Sequence, residues 1–283
     1  MIHFPIIDAH IHIWDINNLS YKWLEQFPEL NQTFLLTDYD AAIGNVQVEK
    51  FIYIQSECHQ SQFLEEVNWV ENIAKKDQRL AAIIPWAPIH SGKLVTKTLE
   101  AFQLNKKIKG VRQIIQNEVE MNFCLQPSFI EGIKLLSEYD LHFELTISPE
   151  QFPSVIKMVE KCPETRFILD HVGNPDILKN KVNPWKAYIK AFSESGNHYC
   201  KFSNLVCNAH LSNWNVNDLK PYSNHIIEAF GTERIIWGSD WPHALRASSW
   251  INWFKAALEL TKDISEKEQR NIFYNNAKTF YNI

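Results

Sequence analysis

Eight short apolar runs punctuate this chain, at residues 6–12, 51–55, 80–86, 110–115, 142–146, 166–170, 199–203 and 234–237. Each is short enough for a strand and rich in β-branched or aromatic residues. After the first, they start roughly 25 to 35 residues apart, about the length of one strand–helix unit. Strand–helix alternation predicts a parallel sheet. Eight such units predict an α/β fold, a single (β/α)8 barrel spanning residues 1–283. A doubly wound sheet that bound a dinucleotide would want a glycine-rich turn after the first strand. The chain has only 8 Gly, and none lies there.

The stretches between the runs carry helix signals of their own. Ser148-Pro149-Glu150-Gln151 combines a cap, a first-turn proline and a capping-box glutamine. Asn183-Pro184 predicts another helix start, and Ser265-Glu266-Lys267-Glu268 a capping box for the last helix. After Ser61, the spacing of Phe63, Leu64, Val67 and Val70 suits a helix lying on a barrel. One connection is different. About 35 residues, 15–49, join the first two strands, far more than a usual βα loop. It carries Tyr21, Trp23, Phe27 and Phe34, just after Trp14. It is expected either to lie over the barrel mouth as a lid or to pack as an aromatic loop.

The first run reads Ile6-Ile7-Asp8-Ala9-His10-Ile11-His12-Ile13-Trp14. Strand alternation puts Asp8, His10 and His12 on one face and Ile7, Ala9, Ile11 and Ile13 on the other. Two imidazoles on one buried face need partners for their ring nitrogens. A metal ion shared by His-x-His supplies one, and neighbouring carboxyls would be the plainer alternative.

In such a barrel the site lies at the C-terminal strand ends. The polar residues there are His10 and His12, Gln55 and Glu57, Arg112 and Gln113, Glu144, Asp170 and His171, Ser203 and Asn204, then Ser239, Asp240 and His243, with Trp86 ending the third strand. Of six arginines, only Arg112 and Arg246 fall near this rim. A guanidinium there suits a substrate carboxylate or polarised carbonyl, or closes an internal ion pair with Glu144 or Glu57. Trp14, Trp86, Trp214 and Trp241 also fall near it, where they would stack on a sugar ring or fill the barrel mouth.

Composition narrows the function classes. With net charge −5 and pI near 6.1, the chain has no basic patch of the kind nucleic-acid binders carry. No apolar stretch is long enough for a transmembrane helix. A first strand starting by residue 6 leaves no room for a signal peptide. The five scattered cysteines, Cys58, Cys124, Cys162, Cys200 and Cys207, contain no CxxC and read as reduced thiols. The expectation is a cytoplasmic protein with a small-molecule substrate and no membrane or nucleic-acid partner; a homo-oligomer is compatible with the sequence but not indicated by it.

Four segments carry a family resemblance: residues 8–15 (DAHIHIWD), Lys109-Gly110-Val111-Arg112, residues 167–175 (FILDHVGNP) and residues 236–242 (IWGSDWP). In this order they resemble the amidohydrolase superfamily, specifically its predicted metal-dependent hydrolase branch of sugar-acid lactonases and 2-pyrone-4,6-dicarboxylate lactonase. The resemblance implies a distorted TIM-like barrel that hydrolyses an ester, lactone or amide. It implies that His10 and His12 are metal ligands and that Asp240 binds metal, activates water, or both. His171 would bind metal or orient water and carbonyl, and Arg112 would contact substrate. The bridging carboxylated lysine of two-metal relatives is absent, as is their fifth-strand histidine, because Lys109 only opens its strand and the fifth strand offers Glu144 with His142 at its start. The turn after His171 has Asn174 where many relatives have lysine.

Together these readings predict a lactonase using one divalent ion, zinc before manganese, on His10, His12 and Asp240, with help from Glu57 or His171. The branch also contains lactonases that work without metal, so metal-free activity is compatible. Arg112, Trp86, Glu144, Trp241 and Trp14 are the expected substrate contacts. The rivals are a non-oxidative decarboxylase of a related branch, a hydrolase of another ester or amide, and a non-catalytic barrel; the last would be marked by loss of His10 or Asp240.

Overall fold

The computed structural model describes residues 4–283, so residues 1–3 of the expected domain lie outside it. All eight predicted strands form: β1 (Ile6–Ile11), β2 (Val48–Ile54), β3 (Leu80–Ile84), β4 (Gly110–Arg112), β5 (His142–Leu145), β6 (Phe167–Leu169), β7 (Tyr199–Phe202) and β8 (Ile235–Trp237). They pair in parallel as one run of β1–β2–β3 and another of β4 through β8. Short bridges join the runs. Ile83 pairs with Ile108 on one side, and Ile11 with Trp241 on the other. The ring is therefore closed but distorted, and the open doubly wound sheet is excluded.

Apolar residues fill two layers. Ile7, Ala9, Ile52, Ile54, Ala82, Ile84, Ile168 and Ile236 point into the barrel, where Ala277, Phe280 and Tyr281 close its lower end. The larger outer layer packs the strands against the helices. Every fully buried side chain of this size contributes about 1.5–3 kcal/mol.

The strict alternation expected for β1 fails at one place. The β1–β2 register slips between Asp8 and Ile11. Such a bulge turns successive side chains to one side. Ala9 and His10 both face inward, whereas Asp8 faces outward, accepting from Tyr39 Oη and Trp250 Nε1, each at 2.9 Å. Asp8 also accepts from the Ser239 N–H at 2.8 Å, tying β1 to the turn that carries Asp240.

The helix signals hold with two amendments. Gln151 Oε1 caps the Ser148 N–H at 2.9 Å, and Ser265 and Glu268 bond reciprocally at 2.8 and 3.3 Å. Pro184 stands at the cap of helix Trp185–Glu194 rather than inside its first turn. Helix Phe63–Lys76 buries Val67 and Val70, but Leu64 is exposed, one position off the buried stripe. All five cysteines are free. No helix among the described residues is long and apolar enough to cross a membrane.

Several strands are shorter than predicted because the chain leaves the ladder where polar residues begin. Just past β2, β6, β7 and β8, Glu57, His171, Asn204 and Asp240 take left-handed backbone conformations, φ between 52° and 57°. Non-glycine residues held there are strained, and such strain concentrates at functional sites.

Candidate active site

Two backbone hydrogen bonds bring the ends of β1 and β8 together. His12 N–H donates to Trp241 O at 2.7 Å, and Asp240 N–H to His10 O at 2.8 Å. Three polar atoms consequently meet. His10 Nε2 and His12 Nε2 lie 3.2 Å apart, and Asp240 Oδ1 lies 3.4 and 3.2 Å from them. A tetrahedral ion with ligands at about 2.1 Å holds its donors about 3.4 Å apart, so this triangle has the size a divalent ion needs. His12 is already oriented: its Nδ1 donates to Ile54 O at 2.9 Å, leaving the Nε2 lone pair toward the triangle. His10, Asp170 and His171 make a second cluster of metal-binding types. Glu57 belongs to neither group; it lines the cavity wall and pairs with the Gln55 amide instead.

The triangle lies at the floor of a cavity of about 440 Å³, within the usual range for small-molecule sites. His12 and Asp240 border it, as do Arg112, His171, His243 and Arg246. His171 Nδ1 meets Ser203 Oγ at 2.9 Å, and the His171 ring stands 4.6 Å from that of His10. Arg112 donates to Gln55 O at 2.7 Å and reaches Asp170 at 3.7 Å, so its internal pair is neither of those expected. Trp23, Gln26 and Phe27, from the long first connection, form part of the wall. Phe27 stacks on the Arg246 guanidinium at 4.3 Å.

The remaining expected contacts lie elsewhere. Trp14 is buried among Tyr21, Trp23 and Phe34, its Nε1 donating to Gln32 O at 2.6 Å. Trp241 packs on Phe34 and Tyr39, and Trp86 on Phe63 and His90. These indoles fill the aromatic layer around the barrel mouth, as bulky apolar rings do when a packed neighbour is available. Glu144 lies deeper in the barrel, fully buried, paired with Lys201 Nζ at 2.5 Å and accepting from Tyr281 Oη at 2.9 Å.

Lys201 is the main residue that the sequence reading passed over. It alternates with Cys200 and Phe202 on β7, and that alternation, carried through to Ser203, would have placed it inside the barrel. His243 and Arg246 fall near the rim in the sequence, but no motif there marks them as site residues. His243 Nδ1 lies 3.0 Å from Asp240 Oδ2.

The electrostatics follow from burial and neighbours. Burial alone would raise the Asp240 carboxyl, but the neighbouring His171 and His243 hold it well below the usual carboxylate range. Burial lowers His10, His12 and His171 below an ordinary histidine. Burial would lower His243 too, but Asp240 raises it to about 10. The floor at neutral pH is thus an ionised carboxylate among neutral imidazoles, with one imidazolium behind it.

The Amidohydrolase family model matches residues 7–283. An L-fucono-1,5-lactonase of Burkholderia ambifaria is 23% identical over 98% of this chain and 95% of its own length. An L-rhamnono-gamma-lactonase of Scheffersomyces stipitis is 24% identical over the whole of both chains. A crystal structure of an amidohydrolase from Burkholderia multivorans with bound zinc superposes with a TM-score of 0.89 at 21% identity, covering 99% of this chain and 100% of the other.

Proposed function

Because this chain belongs to the amidohydrolase family, we propose that it is a lactonase and that its substrate is the lactone of a sugar acid. The observation that carries the reading is Asp240, an ionised carboxylate at a cavity floor, held beside neutral imidazoles and facing space for a small molecule. Gln26, Gln116, Asn117, Asn174, Asn204 and Asn208 line the cavity. Carboxamides both donate and accept, which matches the hydroxyls of a neutral polyol better than an extra carboxylate. The lactonase names of the relatives support the same class.

The hydrolysis needs a base, an acid and a stabilised oxyanion. Asp240 accepts a proton from water as the water oxygen attacks the lactone carbonyl carbon. Arg112 and His171 border the same space and donate toward the oxyanion that forms. The acyl–oxygen bond of the ring then breaks, and Asp240 returns its proton to the ring oxygen. The product is an open hydroxy acid, which ionises and releases one proton. His10, His12 and Asp240 would hold a divalent ion, zinc in this reading; when bound, it polarises the carbonyl and acidifies water.

Proton release in weak buffer tests the proposal against sugar-acid lactones, carboxylated lactones and simple esters, with wild type and Asp240→Asn side by side. Acid release from sugar-acid lactones by wild type alone supports it. Preference for carboxylated lactones would overturn the substrate class. Carbon dioxide evolution from aromatic acids, with no acid release from any lactone, would move the protein to decarboxylation.

A further inference from the structure

Beneath the cavity floor, His10 joins a sealed polar cluster whose other members the hydrolysis above does not use. Lys201, Glu144, Asp170 and His10 are all fully buried. The Lys201 ammonium has three neighbours: Glu144 Oε2 at 2.5 Å, Asp170 Oδ1 at 3.3 Å and His10 Nδ1 at 3.1 Å. An ammonium only donates, so its approach to Nδ1 is favourable only where that nitrogen carries a lone pair. A neutral imidazole has one proton, which then sits on Nε2. The surroundings of Nε2 agree. It faces two acceptors, His12 Nε2 at 3.2 Å and Asp240 Oδ1 at 3.4 Å. Arg112 Nη1 pulls the other way, but from 3.4 Å, and Gln55 O takes its other terminal nitrogen at 2.7 Å.

We propose that Lys201 is a positioning residue: it occupies the Nδ1 lone pair of His10 and places the ring proton on Nε2, so that His10 meets the cavity floor as a hydrogen-bond donor. As a metal ligand, His10 needs the opposite tautomer. Its Nδ1–H would then point at an ammonium 3.1 Å away, with Asp170 Oδ1, at 3.6 Å, as the nearest acceptor. Lys201 therefore makes the triangle bind a divalent ion less tightly than its donor spacing allows. The inference rests on this geometry and not on the lactone reading, and neither readout below needs a substrate.

The first readout is the ring nitrogen spectrum of the metal-free protein, labelled with 15N in its histidine rings, with His10 assigned by comparison with His10→Gln. The expected result for wild type is a protonated Nε2 and a bare Nδ1 on His10. A protonated Nδ1 with a bare Nε2 would overturn the proposal. The second is zinc affinity, by competition with a chromophoric chelator, for wild type and Lys201→Met/Glu144→Gln, which removes both charges of the pair. Removing an outer-shell partner commonly changes metal affinity about 10–100-fold, and here the expected change is tightening. Unchanged or weaker zinc binding in a folded double variant would overturn it. The wild-type spectrum decides the tautomer even where the double variant fails to fold.

Discussion

Two regions of the molecule bury a glutamate completely, and their surroundings are opposite. Inside the barrel, burial would raise Glu144, but Lys201 and His142 bring it down to about 2. Behind the end of β2, Glu66 forms no ion pair among the described residues. Burial pushes it up to about 7, although the Ser56 N–H donates to it at 3.1 Å. The same side chain is thus an anion in one region and only about half ionised near neutral pH in the other. Burial alone does not decide the charge of a buried carboxyl; a partner of opposite sign does. Asp240 follows the barrel pattern, with histidines in place of lysine.

The contrast breaks most severely at Asp240. Asp240→Asn removes the anion and keeps the shape, and turnover should fall by roughly 10²–10⁴-fold, the usual worth of a general base. An Asn variant with wild-type kcat, measured by proton release, would remove Asp240 from the chemistry.

Lys201→Met makes the barrel interior resemble the Glu66 region, leaving Glu144 and Asp170 without their ammonium. Breaking a buried pair from one side costs about 3–5 kcal/mol. Urea unfolding should show that loss, and adding Glu144→Gln should recover part of it. A single variant as stable as wild type would mean that water reaches the cluster.

Glu66 sharpens the contrast through pH. Its folded value, about 7, lies above the ordinary 4.5. Between those values the unfolded chain has lost a proton that the folded chain keeps. Stability therefore falls as pH rises through this window, by roughly 3 kcal/mol in all. Glu144 has the reverse sign: its contribution is present above 4.5 and is lost as pH falls toward about 2. Glu66→Gln should match wild type near the acid end of the Glu66 window and exceed it above the window. Equal pH dependence in both proteins, followed by denaturation midpoints, would show Glu66 to be ionised throughout.

The smallest effect concerns Trp14, an expected substrate contact that lies in the aromatic layer. Trp14→Phe should cost about 1 kcal/mol through its lost bond to Gln32 and leave KM unchanged. A raised KM with unchanged stability would return Trp14 to the substrate.

Much of the architecture was legible because it repeats locally. Each strand is an apolar run of the right length, and the capping boxes at Ser148 and Ser265 need only residues three positions apart. His10, His12 and Asp240 were legible as well, since a barrel gathers its strand ends on one rim. The bulge at Ala9 and His10 was not. It depends on how β1 registers against β2, and it alone separates Asp8 from the two histidines. The sequence places Glu144 at the rim, because a strand end in the sequence carries no depth. Its place under the floor depends on a lysine 57 positions away.

The sequence by itself determined eight strand–helix units, the order of the rim residues and the chemistry they could perform, because periodicity and residue type are local properties. Only the tertiary structure decided which of those residues touch. The triangle of His10, His12 and Asp240 follows from closure of the ring between β8 and β1, the Lys201 contact to His10 from β7 meeting β1 inside the barrel, and the aromatic burial of Trp14 from the first connection folding onto it. Closure sets distances between residues far apart in the chain, and distance and burial then set each group's charge and proton.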